Sequence, residues 1–119
     1  MVKALVDTNI LIDYLRGIPA ARSELSRYAE RAISIVTWME VLVGTPPAAL
    51  SATCAFLDTF RLIGLDRPTA ECAVLLRQRH RLKLPDAIVW ASAQVHDMLF
   101  VTRDTRDFPA DDPGVRVPY

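Results

Sequence analysis

Short apolar runs alternate with helical patterns along the whole chain, and that alternation constrains the fold more than any other feature. VKALV at 2–6, ISIV at 33–36, RLIGL at 61–65 and LFVT at 99–102 read as strands, with VRV at 115–117 as a fifth. A short helix follows Asp7, with Ile10, Leu11, Tyr14 and Leu15 on one side. Pro19 opens an amphipathic helix running to Arg31, and a further helix follows the strand at 33–36. Pro46-Pro47 precede a helix ending near Phe60, Asp66 and Pro68 start one through Glu71 to His80, and Leu84-Pro85-Asp86 start one reaching His96. Strands and helices in alternation predict an α/β fold with a parallel sheet. In such sheets, ligands bind beyond the carboxyl ends of the strands.

No repeat or linker divides the 119 residues, so a single domain over 1–119 is expected. The chain is 51% hydrophobic and 24% charged, enough to build a core. Its formal net charge is zero, so any grip on a polyanion must come from local patterning. Lys3 and Lys83 are the only lysines; the remaining cations are arginines, whose planar fork suits phosphate, although genomic base composition explains the same bias. Cys54 and Cys72 sit among apolar neighbours with no zinc-type spacing, so buried free thiols are expected. No signal-peptide pattern opens the chain and no apolar run approaches membrane-spanning length, which together predict a cytoplasmic protein without membrane contact.

The acidic residues fall in a pattern. Asp7 directly follows the first strand, Glu40 comes one turn into the helix after the second, and Asp104 follows LFVT. Asp86 lies in the first turn of its helix. Each has an ordinary structural explanation. Asp7 can cap a helix, Glu40 can complete a capping box with Thr37, Asp86 favours the helix dipole, and Asp104 suits a turn. Together those explanations weaken, because carboxylates gathered at one sheet edge repel one another unless a cation intervenes. Oxygen donors without a Cys or His set favour a hard ion, Mg²⁺ or alternatively Mn²⁺. Such a site suits phosphodiester hydrolysis.

Read in order, VDTNILIDYL, SIVTWMEVLVG, KLPDAIVWASA and LFVTRDTRDF resemble the PIN-domain ribonucleases, in particular the VapC type of bacterial toxin. The resemblance spans nearly the full length. It implies a three-layer α/β/α sandwich with a mainly parallel central sheet. It also implies a Mg²⁺-dependent endoribonuclease, inhibited by a cognate antitoxin and acting as a homodimer or within a higher-order toxin–antitoxin complex. By position, Asp7, Glu40 and Asp86 match the family's three main acids, and Asp104 matches a fourth site where many relatives carry Asn. All four are expected to be catalytic and to bind metal, with Thr8, Asn9, Thr102 and Asp107 supporting them. Capping local backbone is the more frequent job of Thr at such boundaries, and Thr8, Thr37 and Thr102 all suit it.

In the expected reaction, Glu40 helps take the proton of an attacking water, leaving a 5′-phosphate and a 3′-hydroxyl. Arg103 and Arg106, flanking Asp104, are expected to meet RNA. The basic run Arg77, Arg79, His80, Arg81 and Lys83 either favours its helix dipole or adds phosphate contacts; His80 and His96 have no catalytic partners. Trp38 and Trp90 suit core or interface alike. Two other readings compete: a catalytically silent RNA- or protein-binding module of the same fold, and a different metal-dependent phosphohydrolase. Asn9 stands where a dehalogenase-type phosphatase needs a second Asp, which counts against the latter.

Overall fold

The computed structural model describes residues 2–119. Its centre is a five-stranded sheet in the order β3-β2-β1-β4-β5, formed by β1 (Lys3–Val6), β2 (Glu30–Ser34), β3 (Arg61–Ile63), β4 (Leu99–Val101) and β5 (Val115–Arg116). Every neighbouring pair is parallel, in registers such as Leu5 with Ala32 and Leu5 with Phe100. The connections are α1 (Thr8–Leu15), α2 (Pro19–Ser26), α3 (Ile35–Val43), α4 (Leu50–Leu57), α5 (Arg67–His80) and α6 (Leu84–Val95), with a 3₁₀ turn at Pro47–Ala49.

Strand alternation explains the three layers. Leu5, Ala32 and Phe100 face one side and pack with Ala73 and Leu76 of α5 and Ala87, Trp90 and Ala91 of α6. Ala4, Val6, Ile33 and Val101 face the other side and pack with Ile10 and Leu11 of α1, Ala21 and Leu25 of α2, and Leu57 of α4. With both faces covered, the central strands must be apolar at every position, which is why they read as runs rather than alternations. Helix α3 bridges the layers, sending Val36 to the first core and Val41 to the second. The expected three-layer α/β/α architecture is thus present. Among the described residues, no helix is long and apolar enough to cross a membrane.

Several boundaries differ from the sequence expectation. The helix opened by Pro19 stops at Ser26 rather than Arg31, because Glu30 and Arg31 pair with Lys3 and Ala4 of β1. The strand expected at 33–36 ends at Ser34, and Ile35 and Val36 open α3 instead. Ser34 Oγ accepts from the Val36 backbone N–H at 3.1 Å, so Ser34 caps this helix and Thr37 lies inside it. The capping box assigned to Thr37 and Glu40 is therefore absent, and both side chains are left for other partners. Asp66 does cap α5, its Oδ1 accepting from Thr69 N at 3.0 Å. Cys54 and Cys72 are free but only half-buried.

Candidate functional site: an acidic crevice beside the central strands

β1 sits mid-sheet; its onward connection leads to β2 on one side, while β4 lies on the other. That reversal of strand order opens a crevice at the carboxyl ends of β1 and β4, where α/β sheets place their ligands. Asp7 and Thr102 are the first residues beyond those two strands, and Asp7 N donates to Val101 O at 2.9 Å, continuing the ladder to the crevice floor.

Asp7 is only 7% exposed, and its carboxylate is held on both oxygens. Oδ1 accepts from Thr8 N at 2.7 Å as the cap of α1. Oδ2 accepts from Thr102 Oγ1 at 2.8 Å and from Asn9 Nδ2 at 3.3 Å. The Asp7 carboxyl is raised from 3.8 to about 6, the largest cause being burial. The Thr102 and Thr8 hydrogen bonds pull it back, and the charges of Asp86 and Glu40 push it further up. Asp86, in the first turn of α6, is also raised, by burial first and then by Asp107, Asp104 and Glu40, with Lys83 opposing. The acids expected from the sequence therefore share one electrostatic neighbourhood, and Asp107 belongs to it.

The supporting side chains do more than cap. Thr8 donates its hydroxyl to Glu40 Oε1 at 2.7 Å and sits 3.1 Å from Thr37 Oγ1, so the first turn of α1 orients an acid of α3. Thr102 Oγ1 accepts from Asp104 N at 3.0 Å while donating to Asp7, which links two of the acids through one hydroxyl. Asp104 Oδ1 accepts from the backbone N–H groups of Arg106 and Asp107, at 2.9 and 3.1 Å, folding the loop after β4 into a turn. Phe108 closes that loop, buried against Trp90 and Phe100 at ring separations of 5.8 and 4.8 Å.

Arg106 and Arg103 are both exposed, and Arg103 is in addition engaged within the fold. Its Nε lies 2.6 Å from Asp13 Oδ2, and its backbone N–H donates to Asn9 Oδ1 at 3.1 Å. Asp13, a buried acid of α1, is the residue that the motif reading passes over. Its signal is its spacing: four residues after Asn9, it shares that side chain's helical face. Trp90 is core, and Trp38 is half-buried beside the second core cluster.

A divalent cation fits the donor set. The carboxylates are all oxygen donors, the most buried of them is disfavoured as an anion by burial first and by like charge second, and a hard dication offsets both. Among the described residues, no three acid, His or Cys side chains close into a cage by themselves. Mg²⁺ held by these residues would keep several of its own waters.

The PIN domain family model matches residues 4–110. The chain is 32% identical over 124 aligned residues to Ribonuclease VapC19 of Mycobacterium tuberculosis, covering 97% of this chain and 98% of the relative. It is 31% identical over 113 residues to Ribonuclease VapC10 of the same organism, covering 88% of this chain and 85% of the relative. Among solved structures, a chain in a toxin-antitoxin complex from Klebsiella pneumoniae superposes with a TM-score of 0.93 at 46% identity, covering 98% of each chain. Motif order, fold, the acids at the β1–β4 crevice and these full-length relatives agree, and the chain belongs to the PIN-domain family, among its VapC-type ribonucleases.

Proposed function

We propose that this protein is the toxin of a toxin–antitoxin pair, a metal-dependent endoribonuclease silenced by its cognate antitoxin. The observation that carries this reading is the convergence on buried Asp7. A carboxylate with its pKa at about 6, facing the charges of Asp86 and Glu40, stands in the crevice beyond β1 and β4. Asp7, Asp86 and Asp104, with Glu40, would hold Mg²⁺ or Mn²⁺. When bound, the cation supplies charge neutralisation at the scissile phosphate and lowers the pKa of water.

The chain's own residues do the rest. Thr8 fixes Glu40 so that its carboxylate accepts the proton of the attacking water. Water oxygen bonds to phosphorus as the bond to the ribose 3′-oxygen breaks, and the 3′-oxygen takes its proton from solvent. Thr102 and Asn9 hold Asp7 against reorientation, and Asp107 adds charge beside Asp86. Arg106 meets substrate phosphate, with the exposed Arg79, Arg81 and Lys83 on the approach to Asp86. Mapping product ends tests the chemistry: 5′-phosphates and 3′-hydroxyls are expected, and 2′,3′-cyclic phosphates would show attack by ribose instead.

An apolar cleft of about 500 Å³ is lined by Ile12 and Leu15 of α1, Val41 of α3 and Ala52 of α4, and it reaches Glu40. It suits an apolar antitoxin segment, whose docking there would obstruct the acids. Val74 and Leu75 on α5, each 51% exposed, supply apolar surface for a second copy of the chain. An enzyme that cuts cellular RNA and carries free thiols belongs in the cytoplasm.

A further inference from the structure

Asp13 is a buried carboxylate outside the acidic crevice, and the proposed reaction gives it no task. It is 6% exposed, yet three donor groups converge on it. Arg103 grips it in two places, Nε to Oδ2 at 2.6 Å and Nη2 to Oδ1 at 3.2 Å. Tyr119 donates its hydroxyl to Oδ2 at 2.9 Å, and the Arg103 guanidinium lies 5.8 Å from the Tyr119 ring centroid. A two-point grip of this kind fixes the planes of both groups as well as their separation.

The grip bears on the crevice through α1. Asn9 and Asp13 stand one helical turn apart, and both reach the residue that follows Thr102. Asn9 Oδ1 accepts from the Arg103 backbone, while Asn9 Nδ2 donates to Asp7 Oδ2 and lies 3.2 Å from Thr102 Oγ1. Asp13 holds the side chain of the same Arg103. One face of α1 thus fixes the backbone and the side chain of the residue immediately before Asp104, whose own N–H is tied to Thr102.

We propose that Asp13 and Arg103 form a clamp that positions Asp104 against Asp7, so that Arg103 is a positioning residue rather than an RNA-gripping one. The inference rests on the nuclease reading above and assigns these residues a part in it. Two consequences separate a clamp from a phosphate contact. A clamp has two members, so losing either produces the same defect, and losing both is little worse than losing one. A phosphate contact belongs to Arg103 alone, and removing Asp13 would leave that guanidinium freer to bind RNA.

The test is steady-state cleavage of one short RNA by wild type, Asp13→Ala, Arg103→Ala, the double variant and Arg116→Met, each across a salt series. Arg116→Met breaks the side-chain pair with buried Glu24 on α2, leaves the Arg116 carbonyl accepting from Thr102 N at 3.0 Å, and controls for general destabilisation. The clamp is expected to lower kcat about 10- to 100-fold in either single variant, the range for a misplaced reacting group, with KM within about twofold. The double variant should match the worse single one, the salt slope should stay at the wild-type value, and Arg116→Met should keep wild-type kcat despite a lowered Tm. The clamp is overturned if Arg103→Ala raises KM and flattens the salt slope while Asp13→Ala cleaves normally. It is equally overturned if Arg116→Met loses as much kcat. Arg103→Met, which keeps the aliphatic stem, replaces Arg103→Ala should the latter fail to fold. Hydrogen exchange at the Asp104 and Asp107 amides reads the clamp without catalysis: faster exchange in Asp13→Ala than in Arg116→Met is expected, and equal exchange overturns it. Faster exchange in a protein whose wild type cuts no RNA would uphold the clamp and overturn the nuclease reading instead.

Discussion

A carboxylate that is 7% exposed and within the field of two like charges is a poor choice for stability, and Asp7 has both handicaps. Its raised pKa, about 6 against 3.8, corresponds to about 3 kcal/mol of cost to the charged form at neutral pH. Asp7→Asn removes that charge but turns an amide toward Thr102 and Asn9, which both donate to Oδ2, so part of the gain is lost. The expected net effect in EDTA at neutral pH is a stabilisation of about 1–2 kcal/mol, read as a higher Tm, with cleavage abolished. A destabilised Asp7→Asn protein would mean that the carboxylate serves the fold rather than a cation. At this scale, sequence was informative where partners are local. Asp-Thr-Asn after an apolar strand announces a capped helix start, and Thr8, Asn9 and Asp7 do bond one another or their neighbours. Asp13 was hard to read because its partners lie 90 and 106 residues away, and its one local mark is its place four residues after Asn9 on the same helical face.

At the scale of elements, α2 is tied to β5 by a second buried acid. Glu24, 4% exposed, accepts from Arg116 at 2.6 and 2.9 Å and from the Tyr28 hydroxyl at 2.6 Å. Breaking a fully buried pair costs about 3–5 kcal/mol; Arg116 is a third exposed, so about 2–3 kcal/mol is expected for Arg116→Met in denaturant unfolding. Despite its burial, Glu24 is held below its ordinary carboxyl value of 4.5 by the Arg116 and Tyr28 hydrogen bonds and the neighbouring guanidinium charges. Its folded pKa lies below the unfolded one, so its contribution is complete above about 4.5 and disappears as pH falls through the folded value. Wild type should therefore lose stability in that acid range more steeply than Glu24→Gln. Parallel curves would remove the pair from the account. The cleft between α1, α3 and α4 gives a separate expectation: Leu15→Asp should weaken antitoxin binding at least tenfold while RNA cleavage persists. Unchanged affinity would move the antitoxin elsewhere. Element type was legible throughout, while the β2–α3 junction was not. Ile35 and Val36 suit a strand by propensity, but Ser34 caps behind them and Val36 finds its core against α6. Tertiary burial decided between two acceptable local structures.

The whole molecule places its chemistry by topology. Reversal of strand order at β1 creates the crevice, and the acids reach it from the end of β1, from α3 and α6, and from the loop after β4. The parallel alternation that forces this arrangement is visible in the sequence, as is the rule that ligands gather at strand carboxyl ends. Sheet order is not visible, because β1 pairs with both β2 and β4 through contacts that no local pattern encodes. With zero net charge, RNA attraction must be local, so Arg79→Ala or Arg81→Ala should each flatten the salt dependence of RNA binding by about one phosphate contact. A slope equal to wild type in both would exclude the α5–α6 turn from the RNA path. The most direct test of the central claim is cleavage of total cellular RNA by antitoxin-free protein and its Asp7→Ala variant, with Mg²⁺ and with EDTA. Discrete fragments from wild type with Mg²⁺, and from neither the variant nor the chelated sample, are the expected result. Cleavage by Asp7→Ala equal to wild type, or undiminished in EDTA, would contradict a metal-dependent nuclease built on the β1–β4 crevice.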